Sequence, residues 1–129
     1  MNAEKKFEIH AETVFQLTQQ DIDDIMVGAL EGGINYWCRE AEVVGDYLGE
    51  YASDQISRGG KLILHDAESS DKWELDLEKF LNGMKLWVQN GDDNYGAVQK
   101  DGTVDTCQID AEMADLIVQY ALFGEVVFG

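Results

Sequence analysis

The amino-acid sequence predicts one α+β domain, in which about three helices pack on a small antiparallel sheet. Three observations lead to this fold class. The chain has 129 residues, a length typical of one domain. Segments with apolar residues at helical spacing are interspersed with short segments that alternate like strands. No internal repeat or linker-like stretch divides the chain, so residues 1–129 are assigned to a single domain.

The first helix is predicted over about residues 19–38. Thr18 and Asp21 have the spacing of a capping box, with Asp in place of the usual Glu. Asp21, Asp23 and Asp24 crowd the first turns, where the helix dipole favours negative charge. The start of this helix is therefore marked by both capping and charge.

The far end of this helix is less clear, because Gly32 and Gly33 interrupt it. Apolar residues stay in phase across the two glycines as far as Trp37, which favours one continuous helix. Gly33 would then lie on the buried face and allow a neighbouring element to approach closely. The alternative ends the helix at Gly32 as a C-terminal cap and makes residues 34–38 a strand.

The sheet is predicted to consist of a hairpin over about residues 61–77 and an N-terminal strand. Residues 61–66 and 72–77 are strand-like and flank a polar turn, as in a β-hairpin. Residues 6–17 alternate in part and suggest one or two short strands. Residues 39–60 show no clear period and are expected to be irregular or partly helical.

Two further helices are predicted over about residues 78–89 and 111–123. Asp76 and Asp110 precede them in the N-cap position. The last helix is apolar on most sides, which is typical of a helix buried in the domain or in a homo-oligomer interface. Residues 126–128 are apolar enough to add a short strand.

The charge balance limits the class of partner. Nine Lys and Arg residues stand against 26 Asp and Glu residues, which gives a net charge of −17. Such a chain should repel nucleic acid and anionic membranes, because both are bound through Lys and Arg. It can attract a basic protein surface and speed association with it. Acidity that serves only solubility is the alternative interpretation.

A cytoplasmic protein is expected. The N-terminal residues lack the apolar region of a signal peptide, and no apolar run approaches the ~18 residues of a membrane span. Cys38 and Cys107 are far apart and form no CxxC pair, so both are expected to be reduced thiols.

No metal or cofactor is predicted. Asp92, Asn94 and Gly96 resemble half of a calcium loop, but Thr103 stands where such a loop needs a bidentate Glu. The two histidines and two cysteines lack the local pair of ligands that structural zinc sites show. The turn-rich residues 90–106 are therefore interpreted as an acidic loop.

The candidate partner-binding residues are five carboxylates and one tyrosine. Tyr36 lies off the apolar stripe of the first helix, and tyrosine is favoured at protein interfaces. The carboxylates are expected to form one acidic face that meets a basic protein surface: Asp21, Asp24, Glu31, Glu40 and Glu42.

Two alternative sites remain open. Arg58 beside Gly59 and Gly60 would hold an anion if their backbone forms a nest, which suits an oligomeric protein that sequesters a nucleotide signal. An enzyme would use His65 with a cysteine as nucleophile. Adjacent strand residues point to opposite faces, so Asp66 cannot simply orient His65.

Three stretches of the chain resemble a group of small uncharacterised proteins encoded by phages and mobile elements. They read Ala-Leu-Glu-Gly-Gly-Ile-Asn-Tyr-Trp-Cys, Ser-Arg-Gly-Gly-Lys-Leu-Ile-Leu-His-Asp and Asp-Leu-Ile-Val-Gln-Tyr-Ala-Leu-Phe-Gly-Glu. The likeness covers most of the chain from about Asp21 and brings no catalytic residues. It implies a phage setting, in which accessory proteins often inhibit host defence. We therefore expect a non-enzymatic inhibitor, in concrete form an anti-CRISPR-like nucleic-acid mimic.

Overall fold

The computed structural model describes residues 4–9, 12 and 14–129, which form the predicted α+β fold. Three strands make one antiparallel sheet in the order β1-β2-β3. The regular elements are α1 (Gln19–Gly28), β1 (Cys38–Val43), β2 (Leu62–Asp66), β3 (Lys72–Leu75), α2 (Leu77–Gln89) and α3 (Ala111–Phe123). Short 3-10 turns occupy Ala52–Asp54, Ile56–Arg58 and Thr106–Gln108, and a π-helical turn, Ala29–Gly33, follows α1.

Helix α1 begins at the predicted capping box. The Thr18 hydroxyl accepts a hydrogen bond from the Asp21 backbone N–H at 3.0 Å. The Asp21 carboxylate accepts one from the Thr18 N–H at 2.9 Å. These reciprocal bonds satisfy two N–H groups that the helix itself leaves unpaired. The face that α1 buries carries Ile22, Ile25 and Met26.

The prediction of a helix over 19–38 is wrong at its C-terminal end. The chain stays helical through Gly33 but widens after Gly28 into the π-helical turn. The Ile34 N–H bonds the Ala29 carbonyl, five residues back, at 3.0 Å. A non-helical turn follows, and β1 starts at Cys38. Ile34 and Trp37 are buried in this turn, so their helical spacing reflects contact with the core rather than a helix.

Gly33 does allow the close approach that the sequence suggests. A Cβ on Gly33 would clash with the backbone oxygen of Ala111, at the start of α3. Main-chain atoms cannot turn aside as a flexible side chain can, so only glycine fits here. A Cβ on Gly32 would meet nothing within 4 Å.

The predicted hairpin is confirmed as β2 and β3. Leu64 pairs with Trp73 and Leu62 with Leu75 in an antiparallel register. Leu62, Leu64 and Leu75 are fully buried on the inner face of the sheet. Helices α2 and α3 pack together beside this core, and α3 also contacts α1 and the π-helical turn.

The third strand is β1, and the prediction of an N-terminal strand is wrong for the described part of residues 6–17. That part contains no strand, and Phe7 and Ile9 are exposed; His10, Ala11 and Thr13 lie outside the described residues. Strand β1 instead comes from the stretch expected to be irregular or partly helical. Its core residues are Cys38, Ala41 and Val43, and a register shift between Cys38 and Glu40 breaks their alternation.

Helices α2 and α3 occur where the sequence predicts them. The carboxylates of Asp76 and Asp110 accept bonds from the N–H groups of Lys79 and Met113, each at 2.9 Å. Helix α3 is buried within the domain along most of its length. Gly124 ends it in the left-handed conformation, with φ +73°.

The predicted strand at 126–128 is not formed. The N–H groups of Val127 and Phe128 donate to the side-chain oxygen of Gln119, each at 2.8 Å, instead of to a neighbouring strand. A side chain of α3 thus provides the bonds that a sheet would otherwise supply.

Candidate partner-binding surface

Residues 44–51, here called the tyrosine loop, expose a set of large apolar side chains between β1 and the first 3-10 turn. Tyr47 and Tyr51 are 59% and 62% exposed. Asp46 precedes Tyr47, Glu50 precedes Tyr51, and both carboxylates are also exposed. Isolated apolar residues on a surface are common, but a run of them beside carboxylates is typical of a protein-binding surface. The exposed apolar residues of the loop are Val44, Tyr47, Leu48 and Tyr51.

The tyrosine loop has no regular secondary structure, but Gln55 fixes its backbone. The side chain of Gln55 is buried; its Oε1 accepts from the Leu48 N–H at 2.9 Å. Its Nε2 donates to the carbonyls of Leu48 and Tyr51 at 2.7 and 2.8 Å. One amide group thus satisfies main-chain groups at two points of the loop.

Asp54 supports the same loop from its other side. Its Oδ2 accepts from the N–H groups of Glu50 and Tyr51 at 2.9 and 3.0 Å. The Tyr51 and Glu50 hydrogen bonds lower the pKa of the Asp54 carboxyl, because they stabilise its charged form. The loop therefore presents its side chains on a backbone that is already ordered, which reduces the entropic cost of binding.

A shallow pocket lies beside the tyrosine loop. Its volume is about 290 Å³, and it includes Glu31, one of the predicted partner-binding carboxylates. Tyr51 and Glu31 therefore share one surface, although they are twenty positions apart. The pocket is lined by Val27, Leu30, Glu31, Tyr51, Ala52 and Ser53.

The other predicted carboxylates of α1 are engaged in local bonds. Asp21 is half-buried in its capping box. Asp24 is exposed, and its two oxygens accept from the Gln20 amide at 2.8 Å and from the Thr106 hydroxyl at 3.1 Å. Asp21 therefore has a structural role, and Asp24 joins α1 to the last 3-10 turn.

Glu40 and Glu42 lie on a different element, at exposed positions of β1. The Glu42 carboxylate is 2.9 Å from the His65 ring nitrogen Nε2, and Glu40 is 3.9 Å from the Arg39 guanidinium. Of the five predicted carboxylates, three therefore lie on α1 and the π-helical turn that follows it, and two lie on the sheet.

Tyr36 is half-exposed, but its hydroxyl is held by the interior of the molecule. It donates to the Asp115 carboxylate at 2.6 Å. Burial raises the pKa of Tyr36 to about 12, and the hydrogen bond and the negative charge of Asp115 act in the same direction. Only the ring of Tyr36 is therefore free to contact a partner.

Arg58, which was predicted to hold an anion together with Gly59 and Gly60, already forms ion pairs within the protein. The Arg58 guanidinium lies 3.2 Å from the Asp23 carboxylate and 3.7 Å from that of Asp54. Gly59 has φ +84° and closes the second 3-10 turn, which explains this glycine without a ligand. The two carboxylates oppose the approach of a nucleotide phosphate, and Gly60 packs against the Gln55 backbone.

The structure does not assemble His65 and a cysteine into a catalytic pair. The His65 ring bonds Glu42, while the Cys38 thiol lies 3.3 Å from the Glu40 carbonyl. Burial raises the pKa of Cys38, which disfavours the reactive thiolate. Cys107 is exposed on the last 3-10 turn.

The acidic loop at 90–106 uses its carboxylates internally. Asp92 accepts from the Tyr120 hydroxyl at 2.5 Å. Asp93 accepts from the N–H groups of Ala97 and Val98 at 2.7 and 3.0 Å. Across the described residues, no three His, Cys, Asp or Glu side chains are grouped so that they could hold a metal ion.

The tyrosine loop is the feature that sequence reasoning missed. Its tyrosines and carboxylates are visible in the sequence, but nothing local shows that Gln55 will hold them outward.

Comparison of the chain with protein-family models, curated proteins and solved structures found no match. Within the described part of the chain, no helix has the length and apolar character needed to cross a membrane.

Proposed function

We propose that the protein is a non-enzymatic binding protein that blocks a basic, nucleic-acid-binding effector. The observation that carries this proposal is the tyrosine loop, in which exposed tyrosines and carboxylates stand together on an ordered backbone. Carboxylates would occupy the places of phosphates on the effector. The tyrosines would add apolar contacts, which charged groups alone do not provide.

The charge of the molecule supports an electrostatic mode of binding. The net charge of −17 is spread over a small chain, and most acidic side chains are exposed. Arg39, Arg58 and Lys61 each lie within 4.0 Å of a carboxylate, which reduces their local positive field. A surface of this sign attracts a groove built to bind nucleic acid and accelerates encounter with it.

The tyrosines support specific recognition. Charge alone gives association that is readily screened by salt, whereas Tyr and Trp side chains often dominate the energy at the centre of an interface. Tyr47 and Tyr51, with Glu31 in the adjoining pocket, would form such a centre surrounded by acidic residues.

The setting proposed for this binding is the inhibition of host defence by a phage protein. It rests on the resemblance of the three stretches described above, and the concrete form is an anti-CRISPR-like competitor for the nucleic-acid groove of an RNA-guided nuclease. Such an inhibitor needs no catalytic residues or cofactor.

A competition experiment tests the proposal. Purified RNA-guided nucleases carrying their guides are incubated with labelled target DNA and increasing amounts of the protein. We expect the protein to displace the DNA at about 0.05 M salt and to bind at least tenfold more weakly at about 0.5 M salt, because screening shortens the reach of the charges. Unchanged affinity over this range would contradict mimicry, and so would DNA binding that the protein never reduces.

A matched pair of variants shows whether the loop is responsible. Asp46→Asn with Glu50→Gln removes two charges from the tyrosine loop, and Glu78→Gln with Glu125→Gln removes two exposed charges elsewhere. We expect the first pair to weaken competition more than the second. Equal loss would mean that net charge alone carries the effect.

A further inference from the structure

A second surface feature is a groove between the π-helical turn, the first half of α3 and the segment 126–129. Its volume is about 500 Å³, within the ~300–1,000 Å³ typical of small-ligand sites. The lining is mainly apolar but includes two carboxylates, Glu112 and Asp115, and the ring of Tyr36. This groove, here called the α3 groove, is distinct from the tyrosine loop and its pocket.

Asp115 is the unusual residue of the α3 groove. It is 6% exposed, yet it has no ion pair with any described residue. Its Oδ1 accepts from the Trp37 indole N–H at 2.8 Å and from the Gln119 amide at 2.9 Å. Among the described residues, its Oδ2 accepts a hydrogen bond from the Tyr36 hydroxyl alone. Buried carboxylates are normally paired with a cation, and Oδ2 can accept one further bond.

Glu112 adds a second negative charge on the same face of α3. It lies three positions before Asp115, a spacing that brings helical side chains side by side. Glu112 is exposed and has no ion pair with a described residue. Leu116, one position after Asp115, and Val126 supply apolar surface close to these carboxylates.

We propose that the α3 groove receives an arginine side chain of the basic partner, an inference that rests on the proposed function. The guanidinium bonds Glu112 and the open site of Asp115 Oδ2 and lies against the ring of Tyr36. The aliphatic stem packs on Leu116 and Val126. Arginine fits this lining better than lysine, because its planar group bonds carboxylates through several N–H donors and stacks on aromatic rings.

Other occupants fit the lining less well. Two carboxylates would repel a nucleotide, a phosphate or an anionic lipid headgroup. A second copy of the chain also carries a charge of −17, which opposes self-association through an acidic groove. The charge of the groove therefore selects a cationic group.

The test uses the intact protein, labelled with ¹⁵N, and a small probe. Nα-acetyl-arginine methylamide is titrated in, and the citrulline analogue serves as its neutral, nearly isosteric counterpart. We expect the arginine probe to shift the Trp37 indole N–H signal, because that group bonds Asp115, together with the amides of Gly32 and Gly33. The citrulline probe should leave these signals in place.

A matched pair of variants locates the binding. Glu112 and Glu78 are both exposed and both lie in the first turn of a helix, α3 and α2 respectively. Glu112→Gln should weaken binding of the arginine probe about threefold to fivefold, the range of a partly exposed ion pair, and Glu78→Gln should not. Equal shifts with citrulline, or shifts scattered over the acidic surface and unaffected by Glu112→Gln, would overturn the proposal.

Probe binding and DNA displacement, measured separately, distinguish this inference from the proposed function. If the arginine probe binds in the groove but the protein never displaces DNA from an effector, the groove stands and the proposed function fails. If the protein displaces DNA and the probe does not bind, the function stands and the groove assignment fails.

Discussion

The tyrosine loop and the segment 125–129 are both irregular, and each is held by one buried glutamine. Gln55 accepts from one backbone N–H of the loop and donates to two carbonyls. Gln119 accepts from the N–H groups of Val127 and Phe128 and donates to the Phe128 carbonyl at 3.2 Å. A primary amide can do this because it combines donors and an acceptor in one rigid plane.

The two segments differ in where their aromatic side chains lie. Phe128 stacks on Trp37 with ring centres 4.9 Å apart and an interplanar angle of 3°. Trp73 and Phe123 complete this cluster with edge-to-face contacts. The tyrosines of the loop are exposed instead. A buried glutamine therefore helps to place an aromatic ring in the core in segment 125–129, and it holds a backbone with exposed tyrosines in the tyrosine loop.

The largest expected effect concerns these anchors. Gln119→Met keeps the volume but removes every bond of the amide, including its donation to the buried Asp115 carboxylate. We expect a loss of about 3 kcal/mol in the free energy of unfolding, because the buried carboxylate loses one donor and keeps those of Tyr36 and Trp37. For Gln55→Met, which removes no donor from a buried charge, we expect a loss of about 2 kcal/mol. Urea denaturation measures both.

The control for this pair is Gln99, which also bonds backbone carbonyls but is exposed. Gln99→Met should change stability by less than about 0.5 kcal/mol. If Gln119→Met and Gln99→Met were equally mild, the amide would not be the anchor of segment 125–129.

A smaller effect is expected at the contact beside the Asp115 network. Gly33→Ala would force a Cβ against the Ala111 carbonyl and should cost about 2 kcal/mol. Gly32→Ala has open space and should be neutral or stabilise by up to about 0.5 kcal/mol, because alanine favours helix. Thermal denaturation of the two variants checks the contact, and equal effects would show that it is not tight.

The last expected effect on stability appears only at alkaline pH. Burial and hydrogen bonds to Asp115 and Asp92 raise the pKa values of Tyr36 and Tyr120 to about 12, from 10.0 in the unfolded chain. Below pH 10 both phenols are protonated in either state, so their contribution is fully present. Between about pH 10 and 12 the unfolded state loses protons first, and stability falls.

Denaturation at a series of pH values from 9 to about 12 measures this fall. Tyr36→Phe combined with Tyr120→Phe should flatten it, while Tyr95→Phe, at an exposed tyrosine, should not. A profile as steep in the double variant as in the original chain would contradict the role of the two buried hydroxyl groups.

The elements with local signals could be predicted from the sequence. Asp76 and Asp110 mark their helices through bonds to N–H groups three positions away, and the hairpin turn is equally local. The π-helical turn could not be predicted, because Ile34 and Trp37 continue the helical spacing although the backbone has left the helix. Strand β1 could not be predicted either, because its carboxylates, Glu40 and Glu42, leave few apolar residues and these do not alternate regularly.

The candidate sites depend on contacts that no local pattern reveals. Tyr36 and Asp115 are 79 positions apart in the chain, and Tyr51 and Glu31 meet only because the 3-10 turns fold back on α1. The sequence identifies Tyr36 and Glu31 as candidates through their position on the helix face. It does not indicate that the Tyr36 hydroxyl is bonded inward or that the tyrosine loop is held outward.

The most direct test of the proposed partner-binding surface compares two tyrosines with the same exposure. Tyr51 in the tyrosine loop and Tyr95 in the acidic loop are each 62% exposed, so either can be changed to alanine with little effect on folding. Binding of each variant to an RNA-guided nuclease that the original protein inhibits is measured by competition with labelled DNA. We predict that Tyr51→Ala weakens binding at least tenfold and that Tyr95→Ala leaves it unchanged, since aromatic anchors carry much of an interface's energy. Equal binding by the two variants would contradict the assignment of the tyrosine loop as the recognition surface.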